Sequence, residues 1–179
     1  LVKNDRKNIN KYFDAMTDAT VNGEYDFVKV DVQTRALSRY AGTKNAVATV
    51  NMMHKALEKN CRDKGLGLIN CMAMNTVQLM NTPYSAVTRV SQDYKLGDAG
   101  RAKSHIFQSY VSTLWLGYTV FPDHDMFHSS DSVSGRLMAV SKALSCAPIY
   151  LSDDPLEFEA DNVLPLCYED GRLIKPLAP

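Results

Sequence analysis

Two charged side chains stand two residues apart in a short apolar run near the start of the chain. The run reads FVKVDVQ, residues 27–33. Because side chains alternate in direction along a strand, Lys29 and Asp31 share one face. A carboxylate beside a fixed cation is held in its charged form, which suits a nucleophile or a charge stabiliser. The alternative is that Asp31 caps the following helix, and this segment alone leaves both interpretations open.

Carboxylates also follow three later apolar runs. If residues 88–93 stay extended, Arg89 and Asp93 point the same way, and Asp123 and Asp125 share a face in the run PDHDMFHS, residues 122–129. The last run ends in Ser-Asp-Asp, residues 152–154. Each carboxylate taken alone has a structural alternative as a cap or loop residue, and Arg89 has one as a salt-bridge partner. The recurrence at successive run ends favours a shared site.

Strands and helices alternate along the sequence. Apolar runs predict strands at 27–31, 66–72, 86–91, 118–122 and 148–152, and helical periodicity predicts helices at 4–20, 43–60, 99–116 and 131–145. This alternation is typical of βαβ units with a parallel sheet. The leading prediction is an α/β fold, a (β/α)8 TIM barrel of which the chain holds roughly the last five strands; an open doubly wound sheet is the alternative. Barrel enzymes place their chemistry at the carboxyl ends of strands, where these polar residues stand.

Composition excludes several classes of partner. Twenty basic and twenty acidic residues balance, and no basic stripe with interleaved aromatics indicates nucleic-acid binding. The longest apolar stretch, 114–122, is far too short to span a membrane. The four cysteines lack metal spacing and are predicted to be thiols.

His124 and His128 lie near Asp123, but no third ligand stands at a diagnostic spacing, so we predict no metal and no cofactor. His54 and His105 fall within helical patterns and are predicted to pack.

Five motifs in order carry a resemblance to a known family. They are KVDVQ (29–33), RVSQDY (89–94), a helix that opens with HI (105–106) and closes with STLWLG (112–117), PDHDMFHS (122–129), and PIYLSD (148–153). Together they resemble the raffinose synthase, seed imbibition protein and alkaline α-galactosidase group of glycoside hydrolase family 36. The match extends from about residue 25 to residue 175.

The resemblance implies a retaining enzyme of α-galactosides. It places the nucleophile at Asp31 and the general acid/base at Asp93. The residues that would hold the sugar hydroxyls are Lys29, Arg89, Asp123 and Asp125. The family architecture implies that residues 1–163 are the later part of the catalytic barrel and that 164–179 begin a β-region. We therefore expect a β-domain and the early barrel strands before Leu1, and a β-domain after the last residue.

The chemistry agrees with this assignment. Retaining glycosidases need two carboxyls about 5 to 5.5 Å apart, one ionised and one protonated. Asp93 is expected to be the protonated one, kept so by partial burial and by the negative charge of Asp31. We predict hydrolysis of α-galactosides; the alternatives are galactosyl transfer of the raffinose-synthase type and a non-catalytic sugar-binding barrel fragment. His124 stands where family members commonly have Trp, which removes a stacking surface for a sugar.

Overall fold

A computed structural model describes residues 2–43 and 45–179. The chain forms two compact units, Leu1–Thr88 and Arg89–Pro179. The described residues contain four strands, β1 (Phe27–Val30), β2 (Gly67–Asn70), β3 (Val87–Arg89) and β4 (Phe121–Asp123), in one sheet of order β1-β2-β3-β4. The helices are α1 (Arg6–Asn22), α2 (Arg35–Arg39), α3 (Ala46–Asp63), α4 (Thr76–Leu79), α5 (Ala99–Leu116), α6 (Gly135–Leu144) and α7 (Ala160–Val163), followed by a 3-10 turn at Leu164–Leu166.

The first unit packs two long amphipathic helices against parallel strands. Val28 of β1 pairs in register with Leu68 of β2, and Ile69 of β2 pairs with Val87 of β3. The helices α1 and α3 each begin at a capping side chain: Asp5 accepts from the Asn8 N–H and Asn45 from the Ala48 N–H. The buried core between helices and strands consists of Ile9, Phe13, Ala56, Leu57, Cys61, Leu66 and Leu68.

Strand β1 is covered on one face only. Val28 and Val30 pack against the core, whereas Phe27 is 56% exposed and Lys29 is exposed. The strand ends at Val30, and Val32 has a φ of 58°. The alternation that predicted a shared face for Lys29 and Asp31 therefore stops before Asp31, because the chain leaves extended geometry there.

The second unit is built around α5 and α6. Asp98 caps α5 by accepting from the Arg101 N–H. The Val90 N–H donates to the Asp123 carbonyl oxygen at 3.1 Å, which joins the end of β3 to β4. The core of this unit consists of Tyr94, Ala102, Phe127, Met138, Ala139 and Leu166.

The predicted alternation of strands and helices with a parallel sheet is confirmed, and α5 has the predicted bounds. The predicted helix at 131–145 begins later, at Gly135, and the helix predicted at 43–60 is Ala46–Asp63, with Lys44 outside the described residues. The prediction of a fifth strand was wrong, because residues 148–152 form one parallel bridge, between Phe127 and Leu151, instead of a strand. Closure into a barrel and the division at residue 163 stay predictions.

Candidate active site

Arg89 is the centre of the polar cluster in the second unit. It stands at the last position of β3 and its side chain is 3% exposed. Its Nη1 lies 2.5 Å from Asp125 Oδ1, and its Nη2 donates to Asp93 Oδ1 at 2.7 Å. A guanidinium offers five donors in one plane, so a single arginine can bind two carboxylates in fixed directions. Arg89 thus brings together acidic residues from two separate motifs.

A turn, rather than a continuing strand, places the two aspartates that follow β4. The strand ends at Asp123, and Asp125 has a φ of 70° in the left-handed region. The Asp125 N–H donates to Asp123 Oδ1 at 2.8 Å, and the Tyr94 N–H donates to Asp125 Oδ2 at 2.8 Å. The expectation that strand alternation would align them was therefore wrong, because backbone donors orient both carboxylates instead. Asp123 and Asp125 are both buried.

Tyr150 completes the environment of Asp123. Its hydroxyl donates to Asp123 Oδ2 at 2.9 Å and lies 3.1 Å from Oδ1. Burial and the charges of Asp123 and Asp125 raise the pKa of Tyr150, so it stays a hydroxyl donor throughout the ordinary pH range. Sequence reasoning missed this residue, although it lies in the PIYLSD motif and follows the Pro-Ile pair of the predicted fifth strand.

Asp93 differs from its predicted environment. Its side chain is 78% exposed, so the partial burial expected for an acid/base is not seen. Residues 91–93 are outside β3, and the backbone around them is held by α5. The Gln92 N–H donates to Gln108 Oε1 at 2.9 Å, and the Gln92 carbonyl lies 2.8 Å from His105 Nδ1. The segment is therefore positioned by helix contacts, while the carboxylate itself is accessible.

Asp31 lies in the first unit and is exposed. Its Oδ1 accepts from the N–H of the next residue, Val32, at 2.6 Å. The following helix α2 has Thr34 as its N-cap and no side-chain capping bond, so the alternative that Asp31 is a helix cap is wrong. Asp31 lines a cavity of about 460 Å³ together with Val30, Gln33 and His54. Because Asp31 and Asp93 belong to different units, the pairing of their carboxyls stays a prediction.

Two other acidic residues have structural roles. Asp131 Oδ2 accepts from the Tyr94 hydroxyl at 2.6 Å and from Ser134 Oγ at 2.7 Å. Burial favours protonation of Asp131, but these hydrogen bonds outweigh it and lower its pKa to about 2. Asp153 accepts from the backbone N–H groups of Ser129 and Ser130 at 2.8 Å. For Asp153 the loop interpretation was correct, whereas Asp131 is not the N-cap of α6, which is Ser134.

Three of the four histidines, His54, His105 and His124, are buried. His124 Nδ1 lies 3.2 Å from Ser141 Oγ, and its Nε2 lies 3.3 Å from Thr113 Oγ1. Burial, and then the charges of Lys142 and His105, lower the pKa of His124 to about 3. Across residues 2–43 and 45–179 no cluster of three or more His, Cys, Asp or Glu side chains could hold a metal ion. No helix in those ranges is both long and apolar enough to cross a bilayer.

Comparison with known proteins decides the family. The family model for raffinose synthase or seed imbibition protein Sip1 matches residues 1–178. The chain belongs to this family. It is 34% identical over 158 residues to probable galactinol–sucrose galactosyltransferase 1 of Arabidopsis thaliana, covering 86% of the chain and 21% of the relative. Identity to galactosyltransferase 6 of the same organism is 30% over 177 residues, or 97% and 23% of the two chains.

A third relative extends the same result. Stachyose synthase of Pisum sativum is 26% identical over 178 residues, covering 93% of the chain and 21% of the relative. This member of the raffinose synthase family therefore spans about a fifth of the length of these curated relatives. The resemblance inferred from the motifs is confirmed. The relatives are named as transferases or as a synthase, so they do not favour the predicted preference for hydrolysis.

Proposed function

We propose that the protein containing this chain transfers an α-galactosyl group from a donor to a sugar acceptor with retention of configuration. The observation that carries the proposal is the buried Arg89, whose guanidinium holds Asp125 at 2.5 Å and Asp93 at 2.7 Å at the carboxyl end of a parallel strand. The family match supplies the sugar, because the relatives named above are galactosyltransferases acting between galactinol and sucrose.

The proposed reaction has two displacements. In the first, the Asp31 carboxylate forms a bond to C1 of the galactosyl group while the bond from C1 to the leaving oxygen breaks. Asp93, which has to leave its ion pair with Arg89 and carry a proton for this step, gives that proton to the leaving oxygen. In the second, Asp93 takes the proton of an acceptor hydroxyl, whose oxygen bonds to C1 as the bond to Asp31 breaks. Two inversions at C1 restore the original α configuration.

Sugar binding is assigned to the remaining polar residues. Asp123 and Asp125 are buried, and backbone N–H groups and Tyr150 orient them before any sugar arrives. Their remaining lone pairs can accept hydrogen bonds from sugar hydroxyls, and Arg89 and Lys29 can donate to ring or hydroxyl oxygens. Groups fixed in advance lose little conformational freedom when the sugar binds, which favours binding and orientation.

Hydrolysis is the second candidate. It uses the same residues, with water in place of the acceptor sugar in the second displacement. The observation that favours it is the 78% exposure of the Asp93 side chain, which leaves this carboxylate open to water in the second unit.

Product analysis separates the candidates. The protein is given galactinol with and without sucrose, and products are followed by chromatography and by NMR of the anomeric proton. Transfer predicts a trisaccharide with the α configuration and little free galactose when sucrose is present. Free galactose alone at every sucrose concentration would support hydrolysis. Inversion at C1, or no turnover of galactinol or any aryl α-galactoside, would overturn the proposal.

The role of Asp93 is tested by leaving-group dependence. The Asp93→Ala variant should lose far more activity on galactinol, whose leaving group needs a proton, than on an aryl galactoside with a good leaving group. Asp154→Ala is the matched control, because Asp154 is an exposed aspartate that accepts from the Leu156 N–H. Equal losses on both substrates in Asp93→Ala would contradict an acid/base role.

A further inference from the structure

Lys142 is a buried cation to which the proposed reaction assigns no role. It lies in α6 and is 1% exposed. Its ammonium donates to the His124 carbonyl oxygen, lies 3.0 Å from His105 Nε2, and is 3.8 Å from the sulfur of Met138. Burying an ammonium group is costly unless it is paired and hydrogen-bonded. Its position among these partners therefore needs an explanation.

The hydrogen-bond partners of Lys142 connect it to both segments that carry site residues. The His124 carbonyl belongs to the residue between Asp123 and Asp125. The ring of His105 reaches the other segment, because its Nδ1 lies 2.8 Å from the carbonyl of Gln92, which directly precedes Asp93. One ammonium group thus fixes the backbone at the exit of β4 directly, and the backbone near Asp93 through one histidine.

The charge state of the His105 ring follows from its neighbours. Its Nδ1 can donate to the Gln92 carbonyl, whereas its Nε2 lies 2.8 Å from the His124 carbonyl and 3.0 Å from Lys142 Nζ. Burial and then the charge of Lys142 lower the pKa of His105 to about 4, so the ring is neutral at pH 7. With the ring proton on Nδ1, Nε2 and the His124 oxygen are both acceptors, and the ammonium is the donor that both need.

The same ammonium balances charge in the cluster. The titratable or charged groups that act on it are Asp123, Asp125 and Arg89, together with the rings of His105 and His124. Burial lowers the pKa of Lys142 to about 7, while Asp125 and Asp123 oppose that fall and Arg89 adds to it. The ammonium therefore gains or loses its proton near neutral pH.

We propose that Lys142 is a positioning residue for the sugar-binding end of the site: its charged ammonium fixes the segments that carry Asp93 and Asp125, and its deprotonation releases them. The inference rests on the proposed function for its enzymatic readout. Deprotonated Lys142 keeps two donors but loses the charge that strengthens both hydrogen bonds. Activity is then expected to fall on the alkaline side as the ammonium loses its proton.

Three substitutions at Lys142 in the protein that contains this chain test the inference. Lys142→Met removes charge and hydrogen bonds and should lower kcat about 10- to 100-fold, more than it raises KM, because misplacement by about 1 Å has effects of this size. Lys142→Gln keeps a donor without the charge and should lose nearly as much. Lys142→Arg keeps a charge that does not titrate and should recover part of kcat.

The pH profile gives the readout that a purely structural lysine would not move. The wild type should lose kcat/KM with a midpoint near pH 7, to within about one unit, and Lys142→Arg should move this limb upward by more than one unit. Lys103→Met, on the exposed side of α5, is the matched control and should leave rate and profile unchanged. An unchanged alkaline limb in Lys142→Arg, or wild-type kcat in Lys142→Met, would overturn the inference.

These outcomes also separate the two proposals. If the wild type turns over an α-galactoside and the Lys142 variants behave like it, only the Lys142 inference fails. If the wild type turns over no α-galactoside, the proposed function fails. Should Lys142→Met not fold, the position of the alkaline limb in Lys142→Arg still decides the question.

Discussion

Asp31 and Asp125 are both carboxylates that follow a strand, but their surroundings are opposite. Asp31 is exposed and accepts a hydrogen bond from the N–H of its own neighbour, Val32. Asp125 is 5% exposed, contacts Arg89 at 2.5 Å and accepts from the Tyr94 N–H. In the second unit, other residues of the same unit therefore hold Asp125 in place. In the first unit, Asp31 is an exposed carboxylate that lines a cavity. A nucleophile must reach C1 of the substrate, while sugar-binding groups must be fixed in advance, and the difference suits that division.

The helices of the two units bury polar residues in different places. In the first unit, α1 and α3 pack apolar residues against β1 and β2, and α3 also buries Glu58, which accepts from two backbone N–H groups ahead of β3. In the second unit, the buried face of α6 carries Ser141 and Lys142 beside Met138 and Ala139, while Leu137 and Val140 are about half exposed. A helix with a polar inner face supports a polar site beneath the strand ends.

The largest expected effect is on the exposed carboxylate. Asp31→Ala should lower kcat by roughly 10⁴-fold or more, since removal of a catalytic nucleophile has effects of this size, yet it should leave the melting temperature unchanged because the side chain is exposed. Steady-state kinetics and thermal unfolding measure the two. A melting temperature several degrees lower would break the comparison, because Asp31 would then stabilise the fold.

Breaking the buried ion pair should lower the stability of the fold, which Asp31→Ala is expected to leave unchanged. Arg89→Met leaves Asp125 buried without its cation and should cost about 3 to 5 kcal/mol of unfolding free energy. Arg172→Met is the matched control, because Arg172 and Asp170 form an exposed pair at 2.7 Å in the same unit. That control should change stability by less than about 1 kcal/mol. Denaturant unfolding gives both values, and equal costs would contradict the preorganised site.

Stability should depend on pH through Lys142. The pKa of Lys142 is about 7 in the folded protein against 10.5 ordinarily, so between these values the unfolded chain holds one more proton. Stability of the wild type relative to Lys142→Met should therefore rise with pH across this window, by up to about 1.4 kcal/mol per pH unit. Unfolding of both proteins from pH 7 to 9 measures the difference. A difference that falls with pH would mean that the folded state favours the charged ammonium.

The smallest effect concerns a buried carboxylate in the first unit. Glu58 is 1% exposed, and its Oε2 accepts from the N–H groups of Tyr84 and Ser85 at 2.9 and 2.8 Å. Glu58→Gln should cost about 1 to 2 kcal/mol of stability with unchanged kcat, because an amide meets these donors less well. Glu157→Gln, at an exposed site, is the control. A loss of kcat beyond tenfold would show that buried polar groups of the first unit also support the reaction.

Much of the fold followed from periodicity. The bounds of α5 were predicted because its apolar spacing and the Asp98 cap lie in the local sequence. The fifth strand was wrong because an apolar run of five residues does not reveal whether a neighbouring strand pairs with it along its length; residues 148–152 form one bridge. The short helices α2 and α4 were missed, since four or five residues carry too little periodicity to detect.

Sequence reasoning grouped Arg89 with Asp93 and Asp125, which the structure brings into contact, but it did not predict the geometry of these contacts. Asp123 and Asp125 were predicted to share a face by strand alternation. In the structure, the left-handed backbone of Asp125 and hydrogen bonds from backbone N–H groups determine their positions instead. Lys142 had a signal that sequence reasoning did not use. It falls four residues after Met138 and three after Ala139, on the apolar side of a predicted helix, where a lysine is rarely buried without a partner. Such a partner is a long-range contact that local patterns do not contain.

The identity of the nucleophile is the central feature of the proposed mechanism. A fluorinated galactosyl fluoride that forms the covalent intermediate but releases it slowly would label the protein that contains this chain, and mass spectrometry of its peptides would locate the sugar. We predict a single galactosyl adduct on Asp31, absent from Asp31→Ala. An adduct on Asp93 or on any other carboxylate, formed by a protein that turns over α-galactosides, would contradict the account.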